Sequence, residues 1–221
     1  MNIRSPAARY RQPVISYAAL VILCLWAVFP SSTLDVAGHV LGEHWYSLYN
    51  LMLAAAAVLV FLRARLRHDT GLAWRVFDLG LCGAIVTGIG KLGFPFLTRP
   101  SGGPSGFPSG HALTAFAASW LLMETFPNVS PYAFLIAVAV GWSRVEIHEH
   151  YIYQVLIGAP LGMMVGYAIT RAPHGVGILL PRLGIQTRHL YRNIMRRFRG
   201  QPVAGNSSLQ EDVWPPPQRK P

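Results

Sequence analysis

The sequence is poor in charge. Only 13% of its 221 residues are Asp, Glu, Lys or Arg, where soluble domains carry about 25%. Acidic residues are scarcest, nine against nineteen Lys and Arg. Cysteine is nearly absent: Cys24 and Cys82 both sit inside apolar runs, at no metal or disulfide spacing, and read as small buried hydrophobes. No Asp/Glu cluster has metal-ligand spacing. These shortages argue against an ordinary water-soluble enzyme, a disordered protein and a disulfide scaffold. What fills the space is apolar, 52% of the chain. The net charge of +10 does not point to nucleic acid, because the basic residues cluster beside apolar runs, as on the cytoplasmic side of a membrane protein.

A spanning helix needs about 20 mostly apolar residues. Six runs approach this: Val14–Phe29, Tyr46–Leu62, Phe77–Phe94, His111–Phe126, Tyr132–Trp142 and Tyr151–Thr170. The expected fold is all-α, an integral membrane bundle of six transmembrane helices. Residues 1–13 form a cytoplasmic tail and 14–170 the membrane domain. Residues 171–199 form a basic cytoplasmic segment, and 200–221 a polar, proline-rich disordered tail. The first run reads as an uncleaved span rather than a signal peptide, since five more follow.

Orientation follows from the loops. Arg4, Arg9 and Arg11 precede the first run; Arg63, Arg65, Arg67 and Arg75 follow the second; Arg171, Arg182, Arg188, Arg192, Arg196, Arg197 and Arg199 follow the sixth. Residues 30–45 hold no Lys or Arg. Both termini are expected in the cytoplasm, with the loops before the fourth and sixth runs on the opposite, external face. Gly158, Gly162 and Gly166 make a small-xxx-small stripe in the sixth run, expected to pack inside the bundle. In 182–199, Leu183, Leu190, Ile194 and Phe198 recur at helical spacing among arginines. That pattern predicts an amphipathic helix on an anionic leaflet.

Polar residues gather in the two external loops, as KLGFPFLTRP and PSGH over 91–111 and as SRVEIHEHYIYQ over 143–154. They bring Lys91, Arg99 and Arg144 together with His111, His148 and His150. Three cations facing one pocket suit a phosphoryl group. Pro108-Ser109-Gly110-His111 runs straight into an apolar helix. Free N–H groups at a helix start bind anions, Ser109 is placed to cap the helix and to donate to a phosphate oxygen, and Gly110 permits close backbone approach. His150 and Gln154, four residues apart, share a helical face. Gln154 can accept from one ring nitrogen and leave the other free to attack phosphorus.

These residues resemble the signature of the type-2 phosphatidic acid phosphatase superfamily of integral-membrane lipid phosphatases. The three parts are Lys91 with Arg99-Pro100, then Pro108 to His111, then Ser143-Arg144 with His150 six residues after the arginine. The resemblance implies a membrane phosphatase acting on a lipid phosphate or polyprenyl diphosphate without metal or cofactor. His150 would be the nucleophile that forms a phosphohistidine and His111 the general acid and base. Lys91, Arg99, Ser109, Gly110 and Arg144 would hold the phosphate oxygens.

Two positions depart from the pattern. Seven residues separate Lys91 from Arg99 where six are usual, and Gln154 stands where an aspartate is usual. Glutamine also occurs there in branches resembling dolichyl-diphosphate and glucose-6-phosphate phosphatases, which tilts the expected substrate towards a polyprenyl diphosphate. Glu146 or Glu149 is an alternative partner for His150, and His148 a rival nucleophile. His39, His44, His68, His174 and His189 read as surface residues, and Asp78 as an interfacial residue or a hydrogen-bond partner in the bundle. A phosphotransferase, a non-catalytic lipid-phosphate binder and, remotely, a vanadium haloperoxidase stay open. The expected partners are the lipid substrate and the bilayer, not nucleic acid. The site is expected to face the periplasm from a bacterial inner membrane, or a eukaryotic lumen.

Overall fold

In the computed structural model, residues 6–28, 36–37, 40, 45–103 and 105–171 are described. The chain divides into two units, Met1–Gly177, which holds every described helix, and Ile178–Pro221. The amphipathic helix expected over 182–199 and the tail over 200–221 lie outside the described residues.

Six long helices account for the six apolar runs: α1 Pro6–Trp26, α2 Trp45–Leu66, α3 Thr70–Gly93, α4 Gly110–Thr125, α5 Ser130–Glu146 and α6 Ile152–Arg171. There is no strand among the described residues. Three helices are long and apolar enough to cross a membrane, Tyr49–Leu66 within α2, Thr70–Gly93 and Ile152–Arg171. The others fall short for identifiable reasons. At 1.5 Å per residue, the 16 residues of α4 and the 17 of α5 reach about 25 Å against a hydrocarbon core of about 30 Å. In α1 the apolar stretch is Tyr10–Trp26.

Helix α4 is the centre of the unit. Twelve of its sixteen residues are buried, and a helix apolar all round belongs inside. Its Phe116 and Trp120 pack with Leu20 and Cys24 of α1, Phe134 and Val140 of α5 and Val155 of α6. On another side, Leu121 and Leu122 meet Ala56 and Val60 of α2 and Leu72 of α3. Outward, Ile22, Phe61, Ile89, Leu135 and Met164 are exposed, the pattern of helices solvated by hydrocarbon rather than water.

The glycine stripe of α6 seats that helix on α4. A methyl group at Gly162 would lie 2.1 Å from the Leu113 carbonyl oxygen, and at Gly158 2.7 Å from that of Ser109. The stripe therefore packs inside the bundle, as expected. Gly162→Val should destabilise the detergent-solubilised protein by about 2 kcal/mol or more. Gly80→Ala, with open space around it, should leave the melting temperature unchanged or slightly raised. Equal melting temperatures for Gly162→Val and wild type would refute the packing.

Helix α6 also carries Pro160 in its interior. Proline has no N–H, so the carbonyl four residues earlier loses its helical donor. The Tyr17 hydroxyl of α1 donates to that carbonyl, Leu156 O, at 3.1 Å. The turn between α2 and α3 is tighter than the sequence suggested. Asp69 caps α3, its carboxylate accepting from Leu72 N–H at 2.9 Å. Arg63 and Arg65 thus sit in the last turn of α2 and Arg75 inside α3, not in the loop between the two runs.

Candidate active site

Four helix ends converge on the site: the C-terminus of α3 with Lys91, the start of α4 with Gly110 and His111, and the α5–α6 turn with His150. The segment 94–109 joins α3 to α4 and brings Arg99. A cavity of about 170 Å³ is lined by Lys91, Arg99, Gly110, His111, His150 and Tyr49. The extra residue between Lys91 and Arg99 does not separate them. Helix α3 stops at Gly93, Phe94 N–H closes back on Gly90 O at 3.0 Å, and both cations reach the same cavity.

The α5–α6 turn explains the spacing of Arg144 and His150. Helix α5 ends in a Schellman motif. His148 N–H donates to Val145 O at 3.0 Å and Glu149 N–H to Arg144 O at 3.1 Å, with His148 at φ 56°. His150 N–H donates to the same Arg144 carbonyl at 3.0 Å. The chain thus folds back over the end of α5, and His150 is buried while His148 is exposed.

The ring of His150 is fixed by Gln154. Its Nδ1 lies 3.0 Å from Gln154 Oε1. An amide oxygen only accepts, so Nδ1 carries the proton and Nε2 keeps its lone pair. The rings of His111 and His150 are 6.4 Å apart between centroids. Glu149 does not take Gln154's place. It pairs with Arg99 Nη1 at 3.0 Å.

Ser109 and Arg144 are buried and are not part of the cavity lining. Ser109 occupies the N-cap position of α4, but its hydroxyl makes no capping bond, against expectation. Its Oγ has no partner among the described residues. Its backbone N–H donates to Gln154 O at 3.0 Å. Gly110 faces Thr87 of α3, where a methyl group would meet Thr87 Cγ2 at 3.3 Å. Asp78 is buried within α3.

Tyr49 of α2 escaped the sequence reading. Its ring meets His111 edge-on at 4.9 Å, and its hydroxyl hydrogen-bonds Thr114 Oγ1. Thr114 in turn donates to Gly110 O at 2.7 Å.

In the turn between α5 and α6, burial pushes the pKa of His150 down from 6.5 to about 4; the Gln154 hydrogen bond and Glu149 oppose this, while Arg99 and Arg144 add to it. At neutral pH the imidazole is therefore neutral, the form a nucleophile needs. A lowered folded-state pKa means that His150's contribution to stability is complete above pH 6.5 and is lost as pH falls towards 4. Wild type should lose stability across that window more steeply than His150→Asn, by up to about 1.4 kcal/mol per pH unit. Melting temperatures against pH measure this, and parallel curves would refute it.

Comparison with known proteins places this arrangement. Residues 94–177 match the PAP2 superfamily model, a stretch that includes Arg99, the Pro108–His111 segment, Ser143-Arg144, His150 and Gln154 and begins just after Lys91. Over that stretch the chain is similar to the PAP2 superfamily. With its three long apolar helices, it is an integral membrane protein. The chain is 30% identical over 147 residues to a lipid A 1-phosphatase of Porphyromonas gingivalis, 57% of this chain but 33% of that protein. It thus spans about a third of that relative's length. It is also similar to a solved structure, a transmembrane PAP2-type phosphatidylglycerolphosphate phosphatase from Bacillus subtilis. That match has 20% identity and a TM-score of 0.45, covering 76% of this chain and 87% of the other.

Proposed function

We propose that this chain is a membrane-embedded phosphatase that hydrolyses a lipid phosphate or diphosphate through a phosphohistidine. One observation carries the reading. His150, its Nδ1 engaged by Gln154, shares one cavity with His111, Lys91 and Arg99. That is a nucleophile, an acid–base group and two phosphate-binding cations at a single point.

The steps balance on these residues. His150 Nε2 attacks phosphorus, and the bond to the leaving oxygen breaks as protonated His111 gives that oxygen its proton. His111, now neutral, takes a proton from water. The hydroxide attacks the phosphohistidine, and phosphate leaves with His150 restored. Lys91, Arg99, Gly110 N–H, Ser109 and Arg144 stabilise the charge on the phosphoryl oxygens.

The cavity is smaller than the 300–1,000 Å³ of sites that enclose a whole small molecule. At about 170 Å³ it suits a phosphoryl head, leaving the apolar body of the substrate outside among the exposed side chains of the helices. This favours a lipid over a soluble phosphate ester. The relative's name favours lipid A phosphate among the candidates that the sequence leaves open, beside polyprenyl diphosphate, phosphatidic acid and phosphatidylglycerophosphate. The six helices act as six spans, with the shorter ones sheltered by their neighbours. Arg63, Arg65 and Arg171 close α2 and α6 at the ends remote from the site. With both termini cytoplasmic, the site then faces the periplasm or a lumen.

The test is phosphate release by the purified protein in detergent with EDTA, across a panel of these lipids. Release from one or more identifies the substrate class. Transfer of labelled phosphate to a second lipid instead of water would make it a phosphotransferase. Binding of lipid phosphate with no turnover of any kind would overturn the reading.

A further inference from the structure

Gln154 is fully buried, and its amide is bonded at both ends. Oε1 faces His150 Nδ1 at 3.0 Å and accepts from Tyr151 N–H at 3.3 Å. Nε2 donates to Thr98 O at 2.9 Å, with Leu97 O at 3.4 Å and the Tyr153 hydroxyl at 3.3 Å. Its backbone carbonyl accepts from Ser109 N–H at 3.0 Å. One residue therefore touches all three parts of the site: the segment ending in Arg99, the start of α4, and the nucleophile. The fit is close. Gly106 lies against the amide, where a methyl group would stand 2.6 Å from Oε1, and Gly106 N–H donates to Leu97 O at 3.0 Å.

We propose that Gln154 is a positioning residue that clamps the Arg99 segment to the nucleophile, a task that requires an amide and that a carboxylate cannot perform. The inference rests on the functional reading above and deepens it. A carboxylate at 154 would still accept from His150 Nδ1. It has no proton for the carbonyls of Leu97 and Thr98, and an oxygen facing them would repel them. Thr98 O would lose the amide donor at 2.9 Å, Leu97 O would keep only that of Gly106, and the like-charged oxygens would push apart, so the segment would move, and Arg99, next to Thr98, would leave its place against the phosphate. Aspartate would be shorter as well, by one methylene. Restoring the residue usual at this position is therefore expected to weaken the site rather than improve it.

Gln154→Glu should lower the affinity of the detergent-solubilised protein for inorganic phosphate, read by calorimetry, at least about tenfold. Amide hydrogen exchange over residues 97–106 should rise by a similar factor, with the interior of α4 unchanged. The pH dependence of phosphate binding should also shift, because a carboxylate beside His150 favours its imidazolium. Gly106→Ala, whose methyl group would stand 2.6 Å from Gln154 Oε1 and 2.8 Å from Arg99 Cγ, leaves the histidines unaltered and forces the two ends of the clamp apart. It should reproduce the loss of phosphate affinity and the faster exchange over 97–99. It serves alone if Gln154→Glu does not fold. Wild-type phosphate affinity and wild-type protection of 97–106 in either folded variant would overturn the clamp. Neither readout needs turnover. A protein that hydrolyses no lipid phosphate would defeat the functional reading and still decide this one.

Discussion

Replacing His150 with alanine is expected to reduce phosphate release from the preferred lipid by on the order of 10⁴-fold or more, the scale seen when a nucleophile is lost. No other group can take over the attack. His148 is exposed on the turn, and the His111 ring stands 6.4 Å from that of His150 between centroids. Lys91 and Arg99 still line the cavity, so phosphate affinity should fall far less than turnover. The split separates a missing nucleophile from a collapsed site. Wild type quenched during turnover of a labelled lipid phosphate should carry an acid-labile phosphoryl group, and His150→Ala should carry none. Because His150 is buried, His150→Asn serves as a second variant that keeps most of the volume and should be equally inactive. Release above a tenth of the wild-type rate by a folded variant would sink the phosphohistidine mechanism.

The sequence was most legible where chemistry and hydropathy change at the same residue. The apolar runs placed all six helices, and three motif parts at the ends of those runs placed Lys91, Arg99, His111 and His150, all of which line one cavity. Boundaries failed where a helix continues through polar residues that serve the site. The fifth run reads as 132–142, yet α5 extends to Glu146, because Ser143 and Arg144 are buried and continue the helix without adding hydropathy. The third run begins at Phe77 by hydropathy, although α3, capped by Asp69, starts at Thr70, seven residues earlier. Spacing of i and i+4 revealed the His150 half of the Gln154 network. The half that reaches Leu97 and Thr98 joins backbone carbonyls to a side chain more than fifty residues away, and no local pattern encodes that. Tyr49 was hidden for the same reason. Within α2 it reads as one more interfacial aromatic, and only the packing of α2 against α4 brings it to His111.

His111→Asn should separate the two half-reactions, and the leaving group decides how. In the proposed first step His111 donates a proton to the departing oxygen, which matters most for an alkoxide and least for a stable phenolate. Loss of a positioned acid or base costs about 10²–10⁴-fold, so lipid phosphate turnover should fall by that much. An aryl phosphate with a good leaving group should still phosphorylate His150. In the second step the variant has no base to activate water, so the phosphohistidine should accumulate. The expected record is a burst of aryl alcohol close to one equivalent per site, followed by a stall, with the acid-labile label now easier to trap than in wild type. The geometry supports this division of labour. His111 sits in the first turn of α4, its ring held edge-on by Tyr49 at 4.9 Å. Tyr49 is tied in turn to Thr114, which bonds back to Gly110 O at 2.7 Å. Asparagine keeps the helix and most of the volume, so a lost burst cannot be blamed on a void. If aryl and lipid phosphates slow equally and no phosphoenzyme builds up, His111 is not the shared acid and base. The proton would then come from another group at the cavity, with water bound between Lys91 and Arg99 the first candidate to test.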